Sequence, residues 1–589
     1  MGMNSRIGSF NHHTLIFSSS TSSLTSVELQ PLSSPQAKAG TNSDKIDQSV
    51  QRRTANYKPN IWKHELLQSL TSQFSEKKYK TRAQTLKEDV KCMFVEASDT
   101  LSKLELIDSI SKLGLDKYFM QEIKEALDAT ALSNNTSVLK GDLYATALCF
   151  RLLRHYGCHA SQDMFLDFVD GADKFIPSPK VSIKGLLELL QASNLGGEGE
   201  DLLTEAGLFS IENLSGFGAS SDNMLAKQVY EAISLPIQWR VEWYNVKKHV
   251  QAHEKNHEST KSKLIELAKL NFNLVQSSHQ EDLKEVSRWW MNLGIKERLS
   301  FSRDRVVESF LYAAGTAPEP KQASLRKWLS KVINLILITD DVYDVYGTLD
   351  ELEIFTNAVE RWSPEEIKEL PEGIQICFWT LLNTTNEMAA EIEQENGWTS
   401  VLPYLQKTWT DFLKSLLVEA KWYNKGYTPS LEEYLNNGWI SSSGPLLSVL
   451  AILGVADRKT QNVAEYLKDC QQIIHHSSLV IRLCNDQGTS AAELERGDAA
   501  SSILCYMREA NVSEEVAREH IKSLIVKAWK QINGYCISCP PFLQEPAKYI
   551  TNTARVAHFM YQHGDGFGVQ DRETQDHVRS NFIEPIPIN

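Results

Sequence analysis

The chain has 589 residues, and no uninterrupted apolar run in it approaches the roughly 18 residues that a membrane helix needs. Basic excess is missing too. The formal net charge is −14, which argues against general nucleic-acid binding. It does not exclude an anionic small substrate, because bound cations can invert the local field. Glycine signatures of the Rossmann and P-loop kind are absent, so neither dinucleotide nor nucleotide chemistry of those folds is indicated. A cysteine framework is also lacking: the nine cysteines are scattered and odd in number, which indicates a reducing compartment. Cys536 and Cys539 form a lone CxxC with no second pair to complete a zinc site, and read as ordinary thiols. Strand-type alternation is missing throughout, and the chain reads as all-α.

What is present begins with composition. The first 40 residues hold ten serines, a single acidic residue (Glu28) and two basic ones (Arg6, Lys38). Serine-rich and acid-poor is the composition of an organelle transit peptide, which places a plastid address at residues 1–48. RRTANYKPNIW follows, from Arg52 to Trp62. Pro59 and the polar residues keep it extended, as an arm laid across another surface. From Leu66 to about Val250, apolar residues recur at helical spacing, with expected breaks at Asn194 to Glu200 and at Ser234 to Trp239. The polar segment His253 to Lys263 is the best domain boundary. It divides an N-terminal helical domain, 49–260, from a C-terminal one, 261–589. In the second domain, Gly444 and Pro445 should interrupt a helix beside a cavity.

The chemistry is concentrated in Val332 to Asp350. An apolar helical run ends in Asp340, Asp341 and Asp344. A helix apolar on every face is buried, so these acids should be paired or bound to a cation. In an α-helix Asp340 and Asp344 share one face. A hard divalent cation, Mg2+ before Ca2+, suits two carboxylates that must also hold phosphate. Alone, a DDxxD is more often a solvated acidic turn. The second stretch changes that weighting: Asn485, Thr489 and Glu493 fall at i, i+4 and i+8, an oxygen stripe on a second helix. Arg303 and Arg305 precede the aspartates, and Arg482 precedes the second stripe by one turn. Singly, each arginine could be a salt-bridge partner. Together, acids for a cation and guanidinium forks for an anion describe a diphosphate site.

These residues resemble plant terpene synthases of the angiosperm monoterpene-synthase group, from about Arg52 to the end of the chain. RRTANYKPNIW looks like that group's paired-arginine arm, Arg52 and Arg53 followed by Trp62. RDR at 303–305, DDVYD at 340–344, NDQGTSAAE at 485–493 and YQHGDGFG at 561–568 match its motifs in order. The resemblance implies an N-terminal α-barrel-like domain and a C-terminal class I α-bundle. It implies three Mg2+, or Mn2+, and an allylic diphosphate substrate, geranyl diphosphate, acted on by a monomer without nucleic-acid or membrane partners. Asp340, Asp344, Asn485, Thr489 and Glu493 would hold metal, with Asp341 in support. Arg303, Arg305 and Arg482, with Asp340, Asp344 and Asn485, would hold the diphosphate, and Arg303, Tyr312, Asp341 and Tyr561 would be the catalytic residues. No DxDD motif is present, so protonation-initiated chemistry is not expected.

Three positions depart from the group. Tyr312 stands where relatives carry tryptophan, Ser501 where many carry lysine, and Phe567 where some cyclising relatives carry histidine. Fewer cationic clamps and two extra hydroxyls that can hold water tilt the expectation toward an acyclic product, an alcohol of the linalool or geraniol type. The intact arm pulls toward cyclisation, and a limonene- or terpineol-type product is the alternative. A sesquiterpene synthase is a further one, against which the transit-like segment speaks. A chain-elongating prenyltransferase would show a second Asp-rich motif. A non-catalytic metal-binding scaffold would not need the whole motif set.

Overall fold

The computed structural model describes residues 52–588 except 54, 133–140, 177–181, 216–223, 256–261, 458, 461 and 497–499. The transit-like residues 1–48 and most of the expected boundary segment therefore lie outside the described residues. Among the described residues the regular structure is helical, and the one extended pairing is an isolated bridge between Val169 and Phe175.

In the N-terminal half, α1 (Thr100–Lys112) starts where the Asp99 carboxylate accepts from the Ser102 N–H. Helix α2 (Leu143–His155) is capped in the same way by Asp142 and is buried along most of its length. Its Arg151 is only 6% exposed and bonds both Asp108 of α1 and Glu188 of α3 (Ile183–Ser193). Breaking one arm of such a buried network would cost about 3–5 kcal/mol. The expected breaks are present: α3 ends at Ser193, and a second helix ends at Ser234.

Helix α4 (Ser262–Leu293) is 32 residues, about 48 Å, long. It packs on helices of the first half and also on α5 (Val306–Thr316) and α6 (Ala323–Asp341). The two halves thus share one long helix. Its Asn273, Gln276 and Gln280 amides donate to carbonyls of Ile586, Asn581 and Phe582, which fastens the C-terminal tail to it.

Helix α6 is buried on nearly every side, as its apolar run predicts. It does not continue as an α-helix through the acids. A π-helical turn, Val342–Tyr346, takes over after Asp341 and closes with the Gly347 N–H on the Val342 carbonyl. Facing α6 are α7 (Leu402–Lys425), α8 (Leu431–Ser441), α9 (Gly444–Val455) and α10 (Gln471–Arg496). Leu431–Val455 is long and apolar enough to cross a membrane, yet 72% of its most apolar window is buried within the fold. It is also broken: Ser443 adopts a left-handed φ of 62° between α8 and α9, as the Gly444–Pro445 pair predicts. Gly444 is required by packing, since a Cβ there would lie 2.3 Å from Ser478 Oγ of α10. Helices α11 (Ser502–Ala510), α12 (Glu514–Ser538) and α13 (Pro541–Tyr561) complete the bundle. All nine cysteines are free.

Candidate active site

The ends of α6 and α10 open on one cavity of about 340 Å³. Its floor is apolar, with Ile333 and Leu337 of α6, Phe412 of α7, Leu447 of α9 and Ile481 of α10. Its mouth is polar. Asp340 and Asp344 stand on one wall, and Arg482, Asn485 and Thr489 on the other. The two oxygen stripes read from sequence therefore do face one space. Glu493 continues α10, and its side chain lies outside the described residues.

The three aspartates have different surroundings. Asp341 is fully buried and takes two hydrogen bonds from Arg303, from the backbone N–H (2.8 Å) and Nε (2.9 Å), with Nη2 in ion-pair contact at 2.7 Å. Arg303 Nη2 also donates to Asp340 at 2.7 Å. Burial works against the Arg303 charge, and Asp341 and Asp340 restore it and hold the guanidinium protonated. Asp341 thus holds Arg303 in place and does not border the cavity. Asp340 keeps 31% of its side chain exposed on the cavity wall. Desolvation pushes its carboxyl up to about 6, with Arg303 pulling it down and Asp341 adding to the rise. A carboxylate so poorly compensated is one that a cation would relieve.

The second wall has the same division. Thr489 donates its hydroxyl proton to the Asn485 carbonyl at 2.9 Å, which leaves oxygen lone pairs for a cation. Arg482 reaches the Gly438 carbonyl (3.3 Å), Ser441 Oγ (2.9 Å) and Asn485 Oδ1 (3.3 Å), so its fork spans α8 and α10. Asp486 is buried; it accepts from Tyr434 Oη (2.9 Å) and from the first N–H of α11 (3.0 Å). Among the described residues no three of His, Cys, Asp or Glu converge on one point. The donors are two carboxylates plus amide and hydroxyl oxygens across a gap. That set fits a hard divalent cation which keeps waters and takes phosphate oxygens.

Several expectations need correction. Arg305 does not border the cavity. It is 1% exposed, and its bonds go to the carbonyls of Lys58, Asp304, Phe567 and Gly568. Ser501 does not line the cavity and so does not offer its hydroxyl to water there: it caps α11 by accepting from the Leu504 N–H, and Ala500 is the neighbour that lines the cavity. The Tyr312 hydroxyl is also committed, donating to the Thr553 carbonyl at 2.7 Å. Its ring faces the cavity and stacks at 6.2 Å on Phe567, with Tyr561 tilted against the same Phe567.

The arm divides its arginines. Arg52 makes a two-pronged bond to Glu351 and donates to the Tyr346 carbonyl in the π turn. Arg53 lines the cavity and donates to Tyr423 Oη at 2.8 Å. Trp62 is buried and donates to Glu308 Oε1 at 3.1 Å. Between them Asn56 takes a left-handed φ of 50°, and Tyr57 lines the cavity with its ring 4.9 Å from the Arg303 guanidinium. Burial raises the Tyr57 hydroxyl far out of the range in which it ionises.

Sequence reasoning missed Tyr57, Glu419 and Asp565, all on the cavity wall. Glu419 accepts from Asn437 Nδ2 (3.0 Å) and from Ser441 Oγ (2.5 Å) and lies 4.0 Å from Arg482. Asp565 accepts from the N–H groups of Phe567 (3.0 Å) and Gly568 (2.8 Å), turning the C-terminal loop. Only Asp565 had a local signal, the GDGFG turn composition.

Comparison with known proteins agrees with this geometry. Residues 61–233 match the terpene synthase N-terminal domain, and 291–531 the metal-binding domain of the terpene synthase family. An α-farnesene synthase of Ricinus communis is 47% identical over 560 residues, covering 94% of this chain and 99% of its own. The (E,E)-α-farnesene synthase of Malus domestica is 49% identical over 91% of this chain and 94% of its own. A chloroplastic geraniol synthase of Cinnamomum tenuipile is 43% identical over 92% and 90%. Among solved structures, limonene synthase with 2-fluorolinalyl diphosphate superposes with a TM-score of 0.86 at 36% identity, covering 91% of this chain and all of its own. Isoprene synthase from grey poplar (Populus x canescens), in complex with three Mg2+ ions and dimethylallyl-S-thiolodiphosphate, gives 0.81 at 38% identity, covering 90% and 99%. The chain belongs to the terpene synthase family, enzymes of two all-α domains that are lyases acting on prenyl diphosphates with divalent metal.

Proposed function

We propose that this chain ionises geranyl diphosphate and releases an open-chain ten-carbon product of the linalool or geraniol type. The observation that carries the reaction class is the single cavity in which two oxygen-bearing walls and the Arg303 and Arg482 forks meet above an apolar floor. Asp340 and Asp344, opposite Asn485, Thr489 and Glu493, would hold the cations, three Mg2+ with Mn2+ as the substitute. When bound, they supply neutralising charge to the diphosphate. Arg303, oriented by Asp341, and Arg482, oriented by Ser441 and Gly438, donate to the same anion. The bond from the allylic carbon to the diphosphate oxygen breaks, and the electron pair leaves with the diphosphate. The rings of Tyr312, Tyr561 and Phe567 face the cation that remains. Loss of a proton to the diphosphate gives a hydrocarbon. Addition of water, with loss of its proton, gives an alcohol.

The open-chain reading is supported by the products in the names of the farnesene and geraniol synthases. Two extra hydroxyls no longer support it, since both are committed elsewhere. A second reading takes farnesyl diphosphate. It is favoured by the higher identity to the two α-farnesene synthases, 47% and 49% against 43% for the geraniol synthase. The ten-carbon reading is supported by the plastid-like composition of residues 1–48.

We place the domain division near residue 260 and take the active unit as a monomer. The test is gas chromatography of products from protein starting at Arg52, with Mg2+ and either diphosphate. Turnover of farnesyl diphosphate alone selects the second reading, and a cyclic product from geranyl diphosphate refutes the open-chain one. A fluorescent fusion of residues 1–50 should enter plastids; cytosolic fluorescence refutes the address.

A further inference from the structure

Two irregular segments close the cavity. The arm supplies Arg53 and Tyr57, and the loop after α13 supplies Asp565 and Phe567. They are joined to each other at three side chains. Arg305 donates through Nη2 to the Lys58 carbonyl of the arm (3.1 Å) and the Gly568 carbonyl of the loop (3.3 Å), and through Nε to the Phe567 carbonyl (2.9 Å). Glu308, fully buried one turn on, accepts at the same Oε1 from arm Trp62 (3.1 Å) and loop Gln570 (2.7 Å). Gln570 in turn accepts from the Ile61 N–H (3.0 Å) and donates to Asn60 Oδ1 (3.1 Å). Glu308 Oε2 is buried with no hydrogen-bond partner, so the carboxyl is held in place by the arm and loop donors on its other oxygen.

We infer that Arg305 and Glu308 are the joint of a two-piece cover, positioning Tyr57 and Phe567 over the reacting carbons instead of binding the diphosphate. An anion ligand must aim free N–H groups at the cavity, whereas Arg305 is not among the cavity residues and its bonds go to backbone carbonyls, three of them (Lys58, Asp304, Gly568) on residues that do not line it. Because each joint residue touches both segments, the arm and loop loosen together. The cover matters chemically because it decides whether water reaches the cation. The inference holds for a ten- or a fifteen-carbon substrate alike.

The test is hydrogen exchange read by mass spectrometry on the protein from Arg52 onward, in peptides spanning 52–63 and 564–571. In Arg305→Gln, exchange of both peptides should rise together by about tenfold or more. The alcohol share of the products should rise with it. Inhibition by inorganic diphosphate with Mg2+ should stay within about threefold of the parent. Gln570→Ala changes no charge and should show the same paired loosening; it decides the matter if Arg305→Gln does not fold. Unchanged exchange in a folded variant overturns the joint. So does a tenfold or larger loss of diphosphate inhibition with a tight arm, which would make Arg305 an anion ligand. The exchange readout needs no turnover, so it fails independently of the proposed reaction.

Discussion

Asp341→Asn separates two roles that the DDxxD spelling leaves merged. The Asp341 carboxylate is fully buried, accepts from the backbone N–H and Nε of Arg303 and is in ion-pair contact with its Nη2. An asparagine can keep one oxygen for the guanidinium, but its NH2 cannot accept from the backbone N–H. One buried donor is then unsatisfied, at about 1–3 kcal/mol, and the charge assistance of the remaining bonds is lost. About 3 kcal/mol in all is the expected cost, at the low end for breaking a buried pair, because Asp340 still faces Arg303 at 2.7 Å. At about 2.1 cal/mol/K per residue, a domain of roughly 330 residues shifts by about 1.4 °C per kcal/mol, so Tm should fall by about 4 °C. Asp340 then becomes the sole acidic partner of Arg303 and is drawn away from the cation, so the Mg2+ midpoint for turnover should rise by roughly tenfold, or about 1.4 kcal/mol. The assay is thermal melting in chelator together with a Mg2+ titration of product formation. A Tm within about 2 °C of the parent, with turnover lost as completely as in Asp340→Ala, would refute the reasoning and make Asp341 a metal ligand in its own right.

Asp340→Ala and Asp344→Ala should abolish turnover while leaving Tm in chelator unchanged or higher, because both acids face the cavity; near-parental activity of either at saturating Mg2+ refutes the metal assignment. Arg482→Lys keeps the charge and loses the fork that spans Gly438, Ser441 and Asn485, so turnover should fall about tenfold or more in steady-state kinetics. Ser501→Lys should lose about 1 kcal/mol with the cap of α11 and leave the ratio of cyclic to open-chain products unchanged, as read by melting and chromatography. The Asp340 carboxyl is raised in the fold to about 6, so the metal-free folded state takes up a proton before the unfolded chain does. Metal-free stability should therefore rise as pH falls from about 7 toward 5, by at most about 3 kcal/mol, and Asp340→Asn should flatten this part of the pH–melting curve.

Spacing alone was enough to make the chain all-α, to put Asp340 at the end of a buried helix, and to align Asn485 and Thr489 on another; that Asp344 sits on a π turn and not on the same α-helix was not legible. These are local facts: helical periodicity and the aversion of acids to burial act within a few turns. The helix break at Ser443 followed from Gly444 and Pro445 for the same reason. The assignment of individual polar groups did not follow. Asp340 and Asp341 are adjacent and identical in type, yet one faces the cavity and the other holds Arg303. Arg303 and Arg305 are two residues apart in an irregular segment, and only Arg303 reaches the site. Ser501 and Tyr312 seemed free as letters and are bonded to a helix end and to a carbonyl on α13. A hydrogen-bonding group takes the partner that the chain brings within about 3 Å, and except for Ser501, whose partner Leu504 is in the next turn, and one Arg305 bond to the adjacent Asp304, that partner lies tens to hundreds of positions away. Periodicity set which faces were buried, and packing of distant segments decided which donors and acceptors were left for a substrate.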